Sequence, residues 1–159
     1  MTTAFVLSGG ASLGAIQVGM LEALYERDIT PDLIVGTSVG AINAAFIGSR
    51  VPTVATAREL GDIWRRVRRS DVFPMSLATG FIGLIGRTDH LVSQRSLRRL
   101  VSRYVNVDDL EDARVPLHVI AADLISGREI RLSRGPAIDA VMASAAIPGV
   151  FPPRRVERP

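Results

Sequence analysis

Short apolar runs alternate with longer amphipathic ones along this chain. Thr3 to Leu7 is short and mostly apolar and breaks at Gly9-Gly10, the pattern of a buried strand that enters a glycine turn. From Ala15 to Arg27, Ile16, Met20, Ala23 and Leu24 recur at helical spacing while Gln17, Glu22 and Glu26 lie elsewhere on the circumference. That spacing predicts a helix burying the Ile16 stripe. Thr30-Pro31 closes the helical region, and Leu33-Ile34-Val35 is a second short apolar run of the kind found in a parallel sheet covered on both faces. Val39 to Ile47 then has helical length. Two successive strand, turn and helix units predict a right-handed parallel crossover.

Further along, Thr53 to Val67 places Leu60, Ile63, Trp64 and Val67 on one stripe, and Gln94 to Tyr104 does the same with Leu97, Leu100, Val101 and Tyr104. Both read as amphipathic cover helices. Between them, Pro74, Gly80, Gly83 and Gly86 interrupt the apolar pairs Phe81-Ile82 and Leu84-Ile85. That segment reads as a loop packed on the core, with a flap over an acyl site as the alternative. Leu117 to Ala122 and Glu129 to Leu132 flank Ser126-Gly127 and predict two strands joined by a tight turn, followed by a helix over Ala137 to Ala145. No internal repeat or low-complexity segment is visible.

At 159 residues, 47% hydrophobic and 22% charged, the chain is sized and composed for one globular domain, spanning residues 1–159. All 19 basic side chains are arginine, which fits the codon bias of a GC-rich genome. A net charge of +3 and a pI near 10.5 favour encounters with anionic membrane surfaces or nucleic acid. The arginine clusters at 65–69, 95–103 and 154–158 have no interleaved aromatics to stack bases, so they read as solvated helix faces and no nucleic-acid partner is expected. With no cysteine there is neither a disulfide framework nor a thiol nucleophile. The N-terminus lacks the basic start and long apolar run of a signal peptide, and the longest uncharged stretch, Leu33 to Ser49, is too rich in small and polar residues to span a bilayer. The expected location is cytoplasmic, with peripheral contact to a membrane surface.

Gly36-Thr37-Ser38-Val39-Gly40 is a G-x-S-x-G pentapeptide set directly after an apolar strand and directly before a helix-length segment, the setting of a nucleophile elbow. A serine on such a sharp turn has its hydroxyl pushed out of the sheet, and glycine at 36 and 40 relieves the collisions that side chains there would cause. Ser38 is therefore the candidate nucleophile, with the following helix dipole favouring an oxyanion. Ser8-Gly9-Gly10-Ala11-Ser12-Leu13-Gly14 lies between the first strand and first helix, where successive N–H groups point at one anion. It is the candidate oxyanion hole. A dinucleotide-binding loop is the competing reading, but it needs an acidic residue after the second strand, where Gly36-Thr37-Ser38 stands. No carboxylate or histidine cluster has metal-ligand spacing, so neither a metal nor another cofactor is expected. His118 and His90 read as satisfied structural histidines.

The stretches Leu7 to Ala15, Val35 to Ala44 and Ser144 to Pro153, with Ala121-Ala122-Asp123-Leu124 and Gly127 between, resemble the patatin-like phospholipase family over essentially the whole chain. The resemblance implies a three-layer α/β/α fold with a mostly parallel central sheet. It implies a lipid acyl-ester hydrolase that uses a Ser-Asp dyad, Ser38 being the nucleophile. The loop residues Gly9, Gly10, Ala11, Ser12 and Gly14 would form the oxyanion hole, with the N–H groups of Gly10 and Ala11 as donors. Ala11 and Leu13 stand where the family loop commonly has glycine and arginine, a change that spares the donors if Ala11 keeps an ordinary φ. The family's catalytic aspartate belongs to an Asp-Gly-Gly or Asp-Gly-Ala motif a short strand after the Pro153 stretch. None of the ten aspartates here, at 28, 32, 62, 71, 89, 108, 109, 112, 123 and 139, is followed that way. The expectation is thus a family domain cut before its base, with a non-catalytic lipid- or partner-binding fragment as the alternative function.

Overall fold

The structure is a computed structural model that describes residues 2–67 and 94–156. The glycine-rich segment read as a packed loop or flap lies outside the described residues, as does His90. Strands β1 (Ala4–Leu7), β2 (Leu33–Thr37), β3 (Leu117–Ala122) and β4 (Glu129–Leu132) form one sheet in that order. The first two pairings are parallel and the last is an antiparallel hairpin. The helices are α1 (Gly14–Tyr25), α2 (Val39–Gly48), α3 (Val54–Arg66), α4 (Arg95–Tyr104) and α5 (Ala137–Ser144). The α/β class with a mostly parallel sheet is as the resemblance implies.

Strand register explains the core. Phe5, Ile34 and Leu117 stand in one row and Leu7, Gly36, Val119 and Leu132 in the next, all buried on one face. Helix α2 lies on that face against β1, β2 and β3, and α5 packs on β3 and α2. Because α2 is then covered by α1 and α3, nine of its residues are buried, which suits its run of alanine, phenylalanine and isoleucine. In β1 burial alternates, and Val6, on the other face of an edge strand, is 72% exposed. β1 is thus half-buried rather than a fully buried strand.

Helix α1 departs from the expected stripe. It buries Gly14, Val18, Leu21 and Tyr25 and leaves Ile16 and Met20 exposed. The helix is apolar on both sides, so spacing alone does not choose the buried one. Close approach to α2 and α3 does: a Cβ at Gly14 would lie 2.5 Å from Val39 Cγ2 and 2.8 Å from Trp64 Cζ2. Helix α3 is closed at its start by Thr53 Oγ1, which accepts the Thr56 N–H at 3.2 Å. Its expected stripe packs as read for Leu60, Ile63 and Trp64, whereas Val67 is the C-cap.

Candidate active site

Ser38 sits on the single residue that joins β2 to α2 and has φ 54 and ψ −121. A non-glycine residue in that region is strained by about 1–3 kcal/mol, and such strain persists only where its surroundings hold it. Two close approaches form the turn. A Cβ on Gly36 would lie 2.6 Å from Ala41 Cα and 2.7 Å from Ala44 Cβ, so strand and helix meet at van der Waals distance. A Cβ on Gly40 would lie 2.0 Å from the Leu7 carbonyl oxygen and 2.6 Å from that of Ser8. The second glycine of the pentapeptide therefore makes room for the chain that leaves β1, and the two glycine motifs interlock.

The loop Ser8–Leu13 thereby comes to rest beside Ser38: a Cβ on Gly9 would be 3.3 Å from Ser38 Cβ. After Gly10 the chain makes a 3-10 turn, Ala11–Leu13, closed by the Leu13 N–H donating to the Gly10 carbonyl at 2.9 Å. Within the described residues no turn or cap bond uses the N–H of Gly10 or Ala11. Ala11 adopts φ 50, so the condition attached to its replacement of glycine, an ordinary φ, is not met. The left-handed conformation costs an alanine about 1 kcal/mol relative to glycine. Thr37 ends β2 opposite Ile120, and Val39 opens α2.

Sequence reasoning missed the polar groups that hold this arrangement. The Ser38 N–H donates to Ser144 Oγ at 2.7 Å, and the Ser144 hydroxyl donates to the Ile120 carbonyl. Asn43, one turn into α2 and fully buried, donates to the Gly14 carbonyl at 3.0 Å and to Gln17 Oε1 at 2.9 Å, while its Oδ1 accepts from Trp64 Nε1 at 3.0 Å. Gln17 in turn donates to the Ser8 carbonyl at 2.7 Å. A polar chain centred on the buried Asn43 thus runs from α3 through α2 and α1 to the exposed glycine loop. The signal was a polar residue, Asn43, in the middle of an otherwise apolar segment.

Among the described residues no carboxylate or imidazole hydrogen-bonds the Ser38 hydroxyl. Asp123 follows β3, but its Oδ1 accepts the N–H groups of Ile125 and Ser126, each at 2.9 Å, and so forms the hairpin turn. Asp139 is held by Arg98 and by Arg154, the latter at 2.7 Å, and the Arg98 hydrogen bond first among these contacts lowers its carboxyl pKa. His118 pairs with Val35 in the sheet and lies toward the end away from Ser38. Its Nδ1 is buried with no hydrogen-bond partner among the described residues, so it is not the satisfied histidine that was expected. No group of described side chains is arranged to hold a metal ion, and no described helix is long and apolar enough to cross a membrane.

Comparison with known proteins shows the family and the fold. The sequence model of the patatin-like phospholipase family matches residues 5–158. An uncharacterized NTE family protein of Mycobacterium tuberculosis is 27% identical over 97% of this chain and 40% of its own length. The triacylglycerol lipase SDP1L of Arabidopsis thaliana is 48% identical over 30% of this chain, which is 6% of the lipase. The chain thus spans less than half of each of these relatives. Among solved structures, the type III effector protein ExoU shares the fold at a TM-score of 0.59 and 16% identity, over 93% of this chain and 40% of ExoU.

Proposed function

Because the chain belongs to the patatin-like phospholipase family, we propose that it is a serine acyl hydrolase of lipid esters in which Ser38 is the nucleophile. The observation that carries this reading is Ser38 at φ 54, held on a one-residue turn against Gly9 of the glycine loop. In the proposed reaction Ser38 Oγ attacks the ester carbonyl carbon and gives up its proton to a carboxylate base. The carbonyl oxygen becomes an oxyanion that accepts from the N–H groups of Gly10 and Ala11, with the rest of the Gly9, Ser12 and Gly14 loop shaping the hole. The N-terminal dipole of α2 adds to that stabilisation. Collapse breaks the ester C–O bond, the leaving alcohol takes the proton, and water then cleaves the acyl-enzyme by the same steps.

The base is an aspartate in the proposed Ser-Asp dyad, and none of the ten aspartates of this sequence is assigned to it. Among the described residues no carboxylate hydrogen-bonds the Ser38 hydroxyl, and that favours one second reading, a chain that binds lipid or a partner at the Ser38 site without turnover. The two are separated by assaying p-nitrophenyl butyrate and phospholipid hydrolysis for the protein and its Ser38→Ala variant. Hydrolysis abolished in the variant supports the enzyme. Hydrolysis that survives the substitution removes Ser38 from the mechanism, and a wild-type protein with no activity favours the binding reading.

A further inference from the structure

Parallel strands place their C-terminal ends together, and in open α/β sheets ligands bind beyond those ends. Here Leu7, Gly36 and Val119 stand in one row, so the glycine loop, Ser38 and the β3–β4 hairpin all leave from the same edge of the sheet. α5 ends there too, because Ser144 bonds the Ser38 N–H and the Ile120 carbonyl. Most of the exposed large apolar side chains of the described residues sit around this edge. They are Leu13 in the glycine loop, Ile16 one turn along α1, Leu124 and Ile125 at the hairpin tip, and Ile147 after α5, between 45% and 99% exposed.

The tip is built rather than loose. Asp123 donates its N–H to the Arg128 carbonyl at 2.9 Å and accepts from Gly127 N–H at 2.8 Å, while its carboxylate holds the N–H groups of Ile125 and Ser126. Gly127 completes the turn at φ 68. These bonds present Ile125, 99% exposed, at the far end of the catalytic edge.

We propose that this rim is a docking surface for a lipid–water interface, with Leu124 and Ile125 as the residues that enter the acyl layer. The inference rests on the lipid-ester reading of Ser38. A lipid surface is the occupant that fits, because a folded protein seated across Leu13, Leu124, Ile125 and Ile147 covers the approach to Ser38, whereas a bilayer delivers the ester to it. Side chains of this size that enter the apolar layer each strengthen partition by about tenfold or more.

The test separates docking from chemistry. Sedimentation with phosphatidylcholine vesicles is measured in a Ser38→Ala background, with and without Leu124→Ser/Ile125→Ser, and with Ile16→Ser as an independent second variant. Hydrolysis of dissolved p-nitrophenyl butyrate and of vesicle phospholipid is measured in the protein with Ser38 intact. The expected result is a fall of about a hundredfold in vesicle binding and vesicle hydrolysis for the hairpin variant, which removes two such side chains, a smaller fall for Ile16→Ser, and an unchanged rate on the dissolved ester. Vesicle binding that ignores both variants overturns the proposal, as does a rim-dependent dimer that fails to bind vesicles. Absent hydrolysis of both substrates, with rim-dependent vesicle binding retained, overturns the catalytic reading and leaves the docking surface standing.

Discussion

The backbone N–H of Ser38 points at Ser144 Oγ, 2.7 Å away, and the same hydroxyl is bonded to the carbonyl of Ile120. Residues 106 positions apart in the chain therefore share one hydrogen bond at the strained turn. The bond ties the elbow to β3 and to the C-terminal end of α5, two elements that a change in the φ of Ser38 would have to drag with it. It explains how a non-glycine residue is kept at φ 54.

Ser144→Ala leaves the Ser38 N–H without its acceptor, a loss of about 1–2 kcal/mol. Stability should fall by that amount in denaturant melts, and the rate of fluorophosphonate labelling should fall by about tenfold. Ser144→Thr, which keeps the hydroxyl, should recover most of the labelling rate. A purely structural serine would lower stability and leave the labelling rate of the folded fraction unchanged.

Gly40→Ala drives a methyl group into the Leu7 carbonyl oxygen, since the Cβ position is 2.0 Å from it. Neither partner is the end of a flexible side chain, so the backbone must move. A loss of at least about 3 kcal/mol is expected. Gly19→Ala is the control, because a Cβ there meets nothing within 4 Å. Thermal melts of the two variants should differ sharply, with Gly19→Ala equal to or above the parent.

Asn43→Ala removes a buried side chain that donates to Gly14 and Gln17 and accepts from Trp64. The partly buried indole N–H and Gln17 amide oxygen lose their partner, and the emptied Asn43 site is fully buried, which together cost about 1–3 kcal/mol. Since Gln17 also holds the Ser8 carbonyl, Gln17→Ala should be milder for stability but should slow acylation with little change in KM. Steady-state kinetics on a dissolved ester checks the split.

Asp139 has a carboxyl pKa lowered by its Arg98 hydrogen bond and by Arg154. A folded-state pKa below the unfolded value stabilises the protein above the usual carboxylate range and is lost as pH falls through the lowered pKa. The pair is partly exposed, so its contribution is about 1 kcal/mol. Melting profiles from pH 7 to pH 3 should show Asp139→Asn less stable than the parent at pH 7 and the two converging in acid.

Much of this was legible because local chemistry and tertiary packing agree. Leu33-Ile34-Val35 followed by Gly36 and Gly40 specifies a strand, a tight turn and a helix at Ser38, and the structure puts backbone atoms where a Cβ on either glycine would be. The tight turn at Ser126-Gly127 was also readable from its place between two strand-like runs, and the structure pairs those runs as an antiparallel hairpin. Spacing failed in α1, where both faces are apolar and only the partner helices select Val18 and Leu21 over Ile16 and Met20. The φ of Ala11 is not legible in the sequence, because the path of the loop and not the residue type sets it. The role of Ser144 depends on a contact across 106 positions, which no local pattern encodes, while Asn43 stands out only as a polar residue in an apolar segment and its partners lie 21 to 29 positions away.

The proposed chemistry requires Ser38 to be a covalent nucleophile. Its most direct measurement is peptide mass spectrometry of the full chain after reaction with a fluorophosphonate ester. One phosphonyl group on the peptide that contains Ser38, absent from Ser38→Ala, is the predicted result. An adduct on another serine, or hydrolysis of lipid esters by a protein whose Ser38 stays unmodified, would contradict it.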